Sequence, residues 1–257
     1  MADKRNCRIF IRAALCLCGA YFFYTVARTN VLLKNAKTLI ANAEKFPREY
    51  SVGDNFGEPE QREIIYVALG DSTAVGVGAA RLNETHAFQI ATTFATLNKR
   101  RVRVINLAVS GSVLNDVLQK QLPQLAKFKP DLITVSIGAN DATHFSSMGK
   151  YQAQMQVLVS KLSASKAQVS FATTPDMYQA PALVLPLALA VNRRAKMQNA
   201  ILEKAIGGSQ IKTVDLFNRG KLIYAQNPNL YAADFFHPSS GGYQIWARLF
   251  IADLAAS

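Results

Sequence analysis

The chain has 257 residues, half of them apolar and 18% charged, a composition typical of one globular domain with a sizeable core and a short appendage. All three cysteines fall within the first eighteen residues, which excludes a disulfide or a thiolate metal site from the rest of the chain. Residues 29–257 carry 24 basic against 16 acidic residues, a balance that favours anionic partners. The basic residues are scattered, with no run interleaved with aromatic residues, so a nucleic-acid partner is not expected.

Residues 1–28 have the pattern of an export signal. Four cations within the first twelve residues precede an apolar run over residues 13–27. If Arg12 snorkels toward the headgroups, the apolar stretch approaches the length that spans a bilayer. This order predicts a signal anchor, with a cleaved signal peptide as the alternative. The first would hold the domain on a membrane outside the cytoplasm, and the second would give a secreted or periplasmic protein.

Residues 29–63 connect this signal to the main domain. Apolar positions repeat at helical spacing over about residues 29–45, which predicts an amphipathic helix that either lies on the membrane or packs on the domain. Residues 46–62 are polar and broken by prolines and glycines, which predicts a linker. The main domain is expected over residues 64–257.

Apolar runs and helical stretches alternate through the main domain. The strand candidates are residues 64–69, 102–107, 132–137, 169–173 and 211–216. The helix candidates are residues 86–99, 113–128 and 150–163, a stretch ending near residue 206, and residues 242–254. The alternation predicts an α/β fold, a doubly wound, flavodoxin-like, parallel five-stranded sheet with helices on both faces. Ligands bind at the carboxyl ends of the strands in such sheets, so residues that follow strands are candidates for a site.

Four polar segments follow predicted strands or precede the last helix. They are Gly70-Asp71-Ser72-Thr73, Ser110-Gly111-Ser112, Gly138-Ala139-Asn140-Asp141 and Asp234-Phe235-Phe236-His237-Pro238. In this order, over about residues 64–254, they resemble the four signature blocks of the SGNH/GDSL hydrolase family. The resemblance implies the SGNH hydrolase fold and a serine ester hydrolase.

The residue types in these segments suit acyl transfer from an ester. That reaction needs a hydroxyl nucleophile, a base that accepts its proton and a group that orients the base. Ser72 is the candidate nucleophile, His237 the candidate base, and Asp234, three residues earlier, the candidate orienting acid. By resemblance, the backbone N–H groups of Ser72 and Gly111 and the side-chain amide of Asn140 form the oxyanion hole. No cofactor is expected, and three scattered histidines provide no metal site.

Each of these residues also has a structural interpretation. Ser72 could merely cap a helix, Gly111 could merely shape a turn, and Asn140 could be a turn or cap residue. The four segments together favour the catalytic interpretation for Ser72.

Other polar residues are expected to be structural. Asp71 is predicted to stabilise its turn through backbone hydrogen bonds, and Asp141 to be a turn or cap residue. His86 and His144 are expected at the surface or at helix ends. The glycines of Gly76-Val77-Gly78 lack the third glycine of a dinucleotide-binding loop, because Arg81 holds its place. The α/β-hydrolase elbow G-x-S-x-G fails in the same way at Ala74.

The substrate is the least determined feature. The apolar stretch Ala180–Val191 predicts an acyl-binding wall or lid over Ser72, formed in part by Leu183 and Leu185, and the alternative is the buried face of a helix. A lipase-like, lysophospholipase-like or acylhydrolase-like activity on a small-molecule or lipid ester or thioester is expected, through an acyl-enzyme on Ser72. The chain is expected to be a monomer. The alternatives are a carbohydrate O-acetyl esterase acting on polysaccharide and a non-enzymatic, membrane-tethered module that binds lipid or glycan.

Overall fold

The computed structural model describes residue 25, residues 27–56 and residues 61–255, so nearly all of the predicted signal segment lies outside the described residues. Within this part of the chain, six strands form one sheet in the order β1-β3-β2-β4-β5-β6. The strands are β1 Glu49–Val52, β2 Ile64–Gly70, β3 Val102–Asn106, β4 Leu132–Ser136, β5 Gln168–Ala172 and β6 Lys212–Val214.

The five predicted strands are confirmed as β2 to β6, and all pairs among these five are parallel. Their order is that of a flavodoxin-like doubly wound sheet, with the first of them flanked by the second and third. All five residues of β4 and six of the seven in β2 are buried, as expected for apolar runs covered on both faces.

Strand β1 lies in the segment that the sequence predicts as a linker. Glu49–Val52 pairs antiparallel with β3, from Glu49 opposite Ile105 to Val52 opposite Val102. As an edge strand it has one neighbour, and most of its residues stay accessible to solvent. Four residues with a single buried apolar side chain lack the continuous apolar run that marks the interior strands, so the linker prediction was wrong for these residues.

Helices cover both faces of the sheet. They are α1 at residues 27–43, α2 Ser72–Val75, α3 His86–Asn98, α4 Leu114–Asp116, α5 Ala139–Thr143, α6 Met148–Ser163, α7 Leu187–Ile206, α8 Leu216–Gln226 and α9 Ser240–Ala255. Helices α3 and α9 pack together on one face, and α6 and α7 on the other.

Two regions differ from the predicted helices. Residues 113–128 form α4, a π-helical turn at Val117–Gln121 and a 3₁₀ segment at Leu122–Lys127, where Pro123 has no N–H to continue an α-helix. Helix α8 was not predicted. It begins at Asp215, whose side chain accepts the Asn218 N–H at 2.8 Å, and Gly220 within it weakens the sequence signal.

Helix α1 packs on the domain, which is one of the two positions that the sequence allows for it. Ala43 is buried, and Leu39, Ile40 and Phe46 pack beside it. They contact residues of α2 and of the chain around it, so this helix lies at the carboxyl edge of the sheet. Among the described residues, no helix is both long and apolar enough to span a bilayer.

Candidate active site

Ser72 is the first residue of α2, directly after the carboxyl end of β2. Gly70 ends β2 with a φ of +143°, and a Cβ there would lie 2.0 Å from the Ser136 carbonyl oxygen, so only glycine fits. Asp71 caps α2, with its Oδ1 accepting the Thr73 N–H at 2.9 Å and the Thr73 hydroxyl at 2.8 Å. The predicted turn-stabilising role of Asp71 is thus confirmed, and burial raises its pKa to about 6.

The loop between Asp234 and His237 brings a carboxylate and an imidazole together. The Oδ1 atom of Asp234 accepts the backbone N–H groups of Phe236 and His237, each at 3.0 Å. Its Oδ2 atom lies 2.5 Å from His237 Nδ1. These three hydrogen bonds shape the loop and orient the imidazole ring, and Phe235 turns the loop with a φ of +56°.

The three predicted catalytic residues are joined in one chain of hydrogen bonds. His237 Nε2 lies 2.8 Å from Ser72 Oγ, although the two residues are 165 positions apart in sequence. Asp234 and His237 are buried, as is Ser72, which is 7% exposed. Because Asp234 accepts the Nδ1 proton, the Nε2 lone pair faces the hydroxyl and can take its proton.

The carboxylate is ionised in this arrangement. Burial raises the pKa of Asp234, but the hydrogen bond from His237, the imidazole charge and the two backbone N–H groups outweigh it, so the net pKa lies below the ordinary value. An ionised Asp234 can stabilise the imidazolium that forms when His237 takes a proton.

Gly111 and Asn140 lie on opposite sides of Ser72 along the sheet edge. They follow β3 and β4, the two strands that pair with β2. The Asn140 Nδ2 atom donates one hydrogen bond to the Ser112 carbonyl at 2.9 Å, which links the two segments. The second N–H of this amide is left to donate to another acceptor. Gly111 has a φ of +82° and open space where a Cβ would be. In the described part of the chain, the N–H groups of Ser72 and Gly111 donate to no protein acceptor.

Gln121 supports this edge and was missed by the sequence analysis. Its side chain accepts the Gly70 N–H at 2.9 Å and donates to the Gly70 carbonyl at 2.8 Å. It also lies 3.3 Å from the Ser112 hydroxyl. Gln121 falls in the π-helical turn of the region predicted as a regular helix, and its sequence carries no signal for this contact.

Gly78 and Tyr243 position the loop of His237. Gly78 has a φ of +102°, and a Cβ there would lie 2.2 Å from the Pro238 carbonyl oxygen and 3.3 Å from the His237 Cβ. The Tyr243 hydroxyl donates to the Val77 carbonyl at 2.7 Å. Gly78 therefore allows the turn after Ser72 and the loop of His237 to approach closely, whereas a Cβ at Gly76 would meet Thr85.

A cavity of about 540 Å³, part of it open to solvent, lies beside His237. The walls are mainly apolar and aromatic, among them Met177, Leu216, Tyr224, Phe236 and Trp246.

The apolar stretch Ala180–Val191 divides into two parts. Ala180 lines the cavity, and Leu183 packs against a cluster that includes Met177, Val191 and Phe236. Leu185 is 57% exposed and belongs neither to the cavity lining nor to this cluster. The prediction that Leu183 and Leu185 form one wall was therefore wrong for Leu185.

The remaining histidines stay outside the site. His144 is an exposed residue at the end of α5, as predicted. His86 is at a helix end but not at the surface: it is 0% exposed and packs against Tyr243, Trp246 and Phe250. Asp141 accepts the Leu114 N–H at 2.8 Å, which supports its structural interpretation. The described residues contain no group of three potential metal ligands.

Comparisons with known proteins identify the family of this chain. The model of the GDSL-like lipase/acylhydrolase family matches residues 68–245. The GDSL-like esterase Rv1075c of Mycobacterium tuberculosis is 29% identical over 227 residues, covering 84% of this chain and 72% of the relative.

Solved structures share the fold at lower identity. A lipase/acylhydrolase from Enterococcus faecalis superposes with a TM-score of 0.59 at 20% identity, covering 75% of this chain and 96% of its own. Axe2, an acetylxylan esterase from Geobacillus stearothermophilus, gives a TM-score of 0.56 at 18% identity, and the match covers 74% of this chain and 94% of Axe2. With the family model matching most of the residues, the chain belongs to the GDSL-like lipase/acylhydrolase family and is a carboxylic ester hydrolase.

Proposed function

We propose that the chain hydrolyses esters through an acyl-enzyme formed on Ser72. The observation that carries this proposal is the pair of hydrogen bonds, 2.8 Å and 2.5 Å, that joins Ser72 to His237 and His237 to Asp234. As Ser72 Oγ bonds to the ester carbonyl carbon, His237 Nε2 takes the hydroxyl proton. His237 then returns this proton to the leaving alcohol as the carbon–oxygen bond breaks.

The second half of the reaction uses the same base. Water attacks the acyl carbon while His237 Nε2 takes a proton from it, and the carboxylic acid leaves as that proton returns to Ser72 Oγ. Asp234 keeps its negative charge throughout and stabilises the imidazolium in both halves.

The oxyanion of each tetrahedral intermediate is assigned to three donors. The N–H groups of Ser72 and Gly111 have no protein acceptor among the described residues, and Asn140 keeps one amide N–H free of the Ser112 carbonyl. Each donor of this kind contributes about 3 kcal/mol to transition-state stabilisation.

The cavity beside His237 is proposed to hold the acyl chain of a lipid-like ester. Its lining by Met177, Phe236 and Trp246 favours an alkyl group over a sugar, because most of the wall surface is apolar, although Asp176 and Lys221 also line it. Leu183, which packs with Met177 and Phe236, is the one leucine of the predicted wall that supports this cavity.

The test is the chain-length profile of hydrolysis for the parent, Ser72→Ala and Leu183→Ser. With p-nitrophenyl esters from acetate to palmitate, Ser72→Ala is expected to lose activity on every ester. Leu183→Ser is expected to raise KM for medium and long chains by about tenfold and to leave acetate unchanged, because part of the wall becomes polar. An acetate-only profile of the parent would instead support the carbohydrate O-acetyl esterase.

We also propose that residues 1–28 hold the catalytic domain on a membrane outside the cytoplasm, or direct its secretion if they are cleaved. The order of four cations before an apolar run supports this location. The monomeric state stays a prediction.

A further inference from the structure

The start of α7 and the loop before it expose a group of large aliphatic side chains. Val184, Leu185, Leu187 and Leu189 are all exposed, with Leu185 and Leu189 each 57% accessible. These four residues are called the aliphatic face below. Large exposed apolar groups that lie together mark a surface that contacts a partner or a membrane.

This face lies beside the place where the N-terminal segment joins the domain. Arg28, near the start of α1, donates a hydrogen bond to the carbonyl of Pro181, four residues before Leu185. The chain that precedes Arg28 is the apolar run of residues 13–27. A run of that composition partitions into a bilayer, so its junction with the domain brings the aliphatic face to the same surface.

The face is also next to the active site. The Ala182 N–H donates to the Phe235 carbonyl at 3.0 Å, within the loop that carries Asp234 and His237. From α1, the Asn35 side chain donates to the Ala233 carbonyl at 2.8 Å. The aliphatic face, the base loop and α1 therefore share one edge of the molecule.

The charged side chains of α1 and of residues 180–200 at this edge are all positive. Residues 27–43 contain three cations and residues 180–200 contain three more, and neither segment contains an aspartate or glutamate. Lys34, Lys37, Arg193 and Lys196 are exposed, and none of the four pairs with a carboxylate of the described chain. Apolar side chains next to unpaired cations suit a surface of acyl chains and anionic headgroups.

We propose that the aliphatic face docks on an anionic lipid bilayer and holds the mouth of the active site against it. Leu185 and Leu189 enter the acyl-chain region of the bilayer, while the cations of α1 and α7 lie beside the phosphates of the lipid headgroups. This inference names the surface from which the proposed lipid-like ester is taken, and so it deepens the proposed function. Docking itself requires no turnover, which separates its test from that of catalysis.

The binding test places a tryptophan on the face. Full-length Leu185→Trp and Leu189→Trp chains are reconstituted into vesicles of phosphatidylcholine and phosphatidylglycerol with brominated acyl chains, which quench nearby indoles. Leu97→Trp is the matched control, because Leu97 is 63% exposed near the end of α3, on the opposite edge of the sheet. The native Trp246 is buried and supplies a constant background.

Strong quenching at positions 185 and 189, and none at 97, is the expected result. Quenching at 185 and 189 that is no stronger than at 97 overturns the proposal. Loss of quenching with concentration-dependent dimerisation through these positions would also overturn it, because the face would then bind a second copy.

The activity test compares two presentations of substrate. Leu185→Ser/Leu189→Ser is expected to reduce hydrolysis of a vesicle-borne ester about tenfold and to leave p-nitrophenyl acetate unchanged. Leu97→Ser should change neither. Ser72→Ala should lose both activities while a Leu185→Trp probe in the same chain stays quenched, so a failure of the catalytic assignment is distinguishable from a failure of docking.

Discussion

At the scale of single residues, Asp234 combines two tasks in one carboxylate. One oxygen accepts two backbone N–H groups and shapes the loop, and the other accepts the imidazole proton. The candidate base His237 and the carboxylate that orients it therefore lie within four consecutive residues.

Replacing Asp234 with asparagine separates these tasks. The amide oxygen can still accept the N–H groups of Phe236 and His237, so the loop should keep its shape. The amide N–H₂ cannot accept the Nδ1 proton, which favours the wrong imidazole tautomer and removes the negative charge. We expect kcat to fall by about 10³- to 10⁴-fold with little change in melting temperature. An equally large loss of thermal stability would show that the charge is needed for folding.

His86 gives the fold a pH dependence that is independent of catalysis. Burial lowers its pKa from 6.5 to about 4, so between these values the unfolded chain binds a proton that the folded chain does not. The stabilising effect of a neutral His86 is complete above pH 6.5 and is lost as the pH falls toward 4. Full loss amounts to about 3 kcal/mol of unfolding free energy.

His86→Phe keeps a ring among Tyr243, Trp246 and Phe250 and removes the titrating group. Chemical denaturation at pH 7 and pH 4 should show a smaller difference in unfolding free energy for the variant than for the parent. The raised pKa of Asp71 acts in the opposite direction, but it is common to both proteins and cancels in the comparison. Identical pH slopes would contradict the assignment to His86.

The three hydrogen-bonded residues of the candidate site could be located from the sequence because each lies in a short local pattern. Ser72 follows a buried strand, and Asp234 and His237 are three residues apart before a helix. Gln121, Gly78 and Tyr243 could not be identified in this way. Their roles depend on contacts between segments distant in sequence, such as the Tyr243 bond to Val77 across 166 positions.

At the scale of elements, the turn after α2 and the loop of His237 meet through a glycine. Gly78 leaves no room for a side chain beside the Pro238 carbonyl and the His237 Cβ. Because Gly78 has no side chain, the two segments come close enough for the 2.8 Å distance between His237 Nε2 and Ser72 Oγ.

Gly78→Ala should therefore reduce both stability and activity. The new methyl group must displace the loop, and a positive φ disfavours alanine, so we expect a loss of about 2 kcal/mol or more in unfolding free energy. Displacement of His237 should also lower kcat by at least about tenfold. Gly208→Ala is the matched control, since its φ is +80° but nothing lies near the added Cβ. A loss of kcat in the control as large as that in Gly78→Ala would contradict this role.

Strand β1 and helix α8 were not predicted from the sequence. Strand β1 is short and mostly accessible, and α8 contains Gly220, so neither has a long apolar period. The interior strands were predicted within about two residues of their observed ends, because burial on both faces requires continuous apolar runs.

At the scale of the whole molecule, α1 makes the N-terminal segment part of the catalytic domain. Its apolar residues, including the buried Ala43, pack near α2, and its polar side chains reach the segments that hold Pro181 and Ala233. Both contacts to the other side of the site are made to backbone carbonyls, so they require the Arg28 and Asn35 side chains on α1 but no particular side chain at residues 181 and 233.

A chain that begins at residue 46 should be less stable than one that begins at residue 25. Loss of the contacts of Leu39, Ile40 and Ala43 should reduce the unfolding free energy by about 3 kcal/mol. Asn35→Ala in the longer chain, measured by the same denaturation, should have only a small effect, because it removes one exposed hydrogen bond. Equal stability of the two lengths would mean that α1 docks without contributing to folding.

The distance of 165 positions between Ser72 and His237 has a consequence for protein synthesis. The ribosome must add 165 residues after the proposed nucleophile before it adds the proposed base, so a nascent chain has no complete site until that whole stretch has been made. A product that ends before residue 237 lacks the proposed base, and an ester hydrolysed through this site therefore reports that synthesis has passed residue 237.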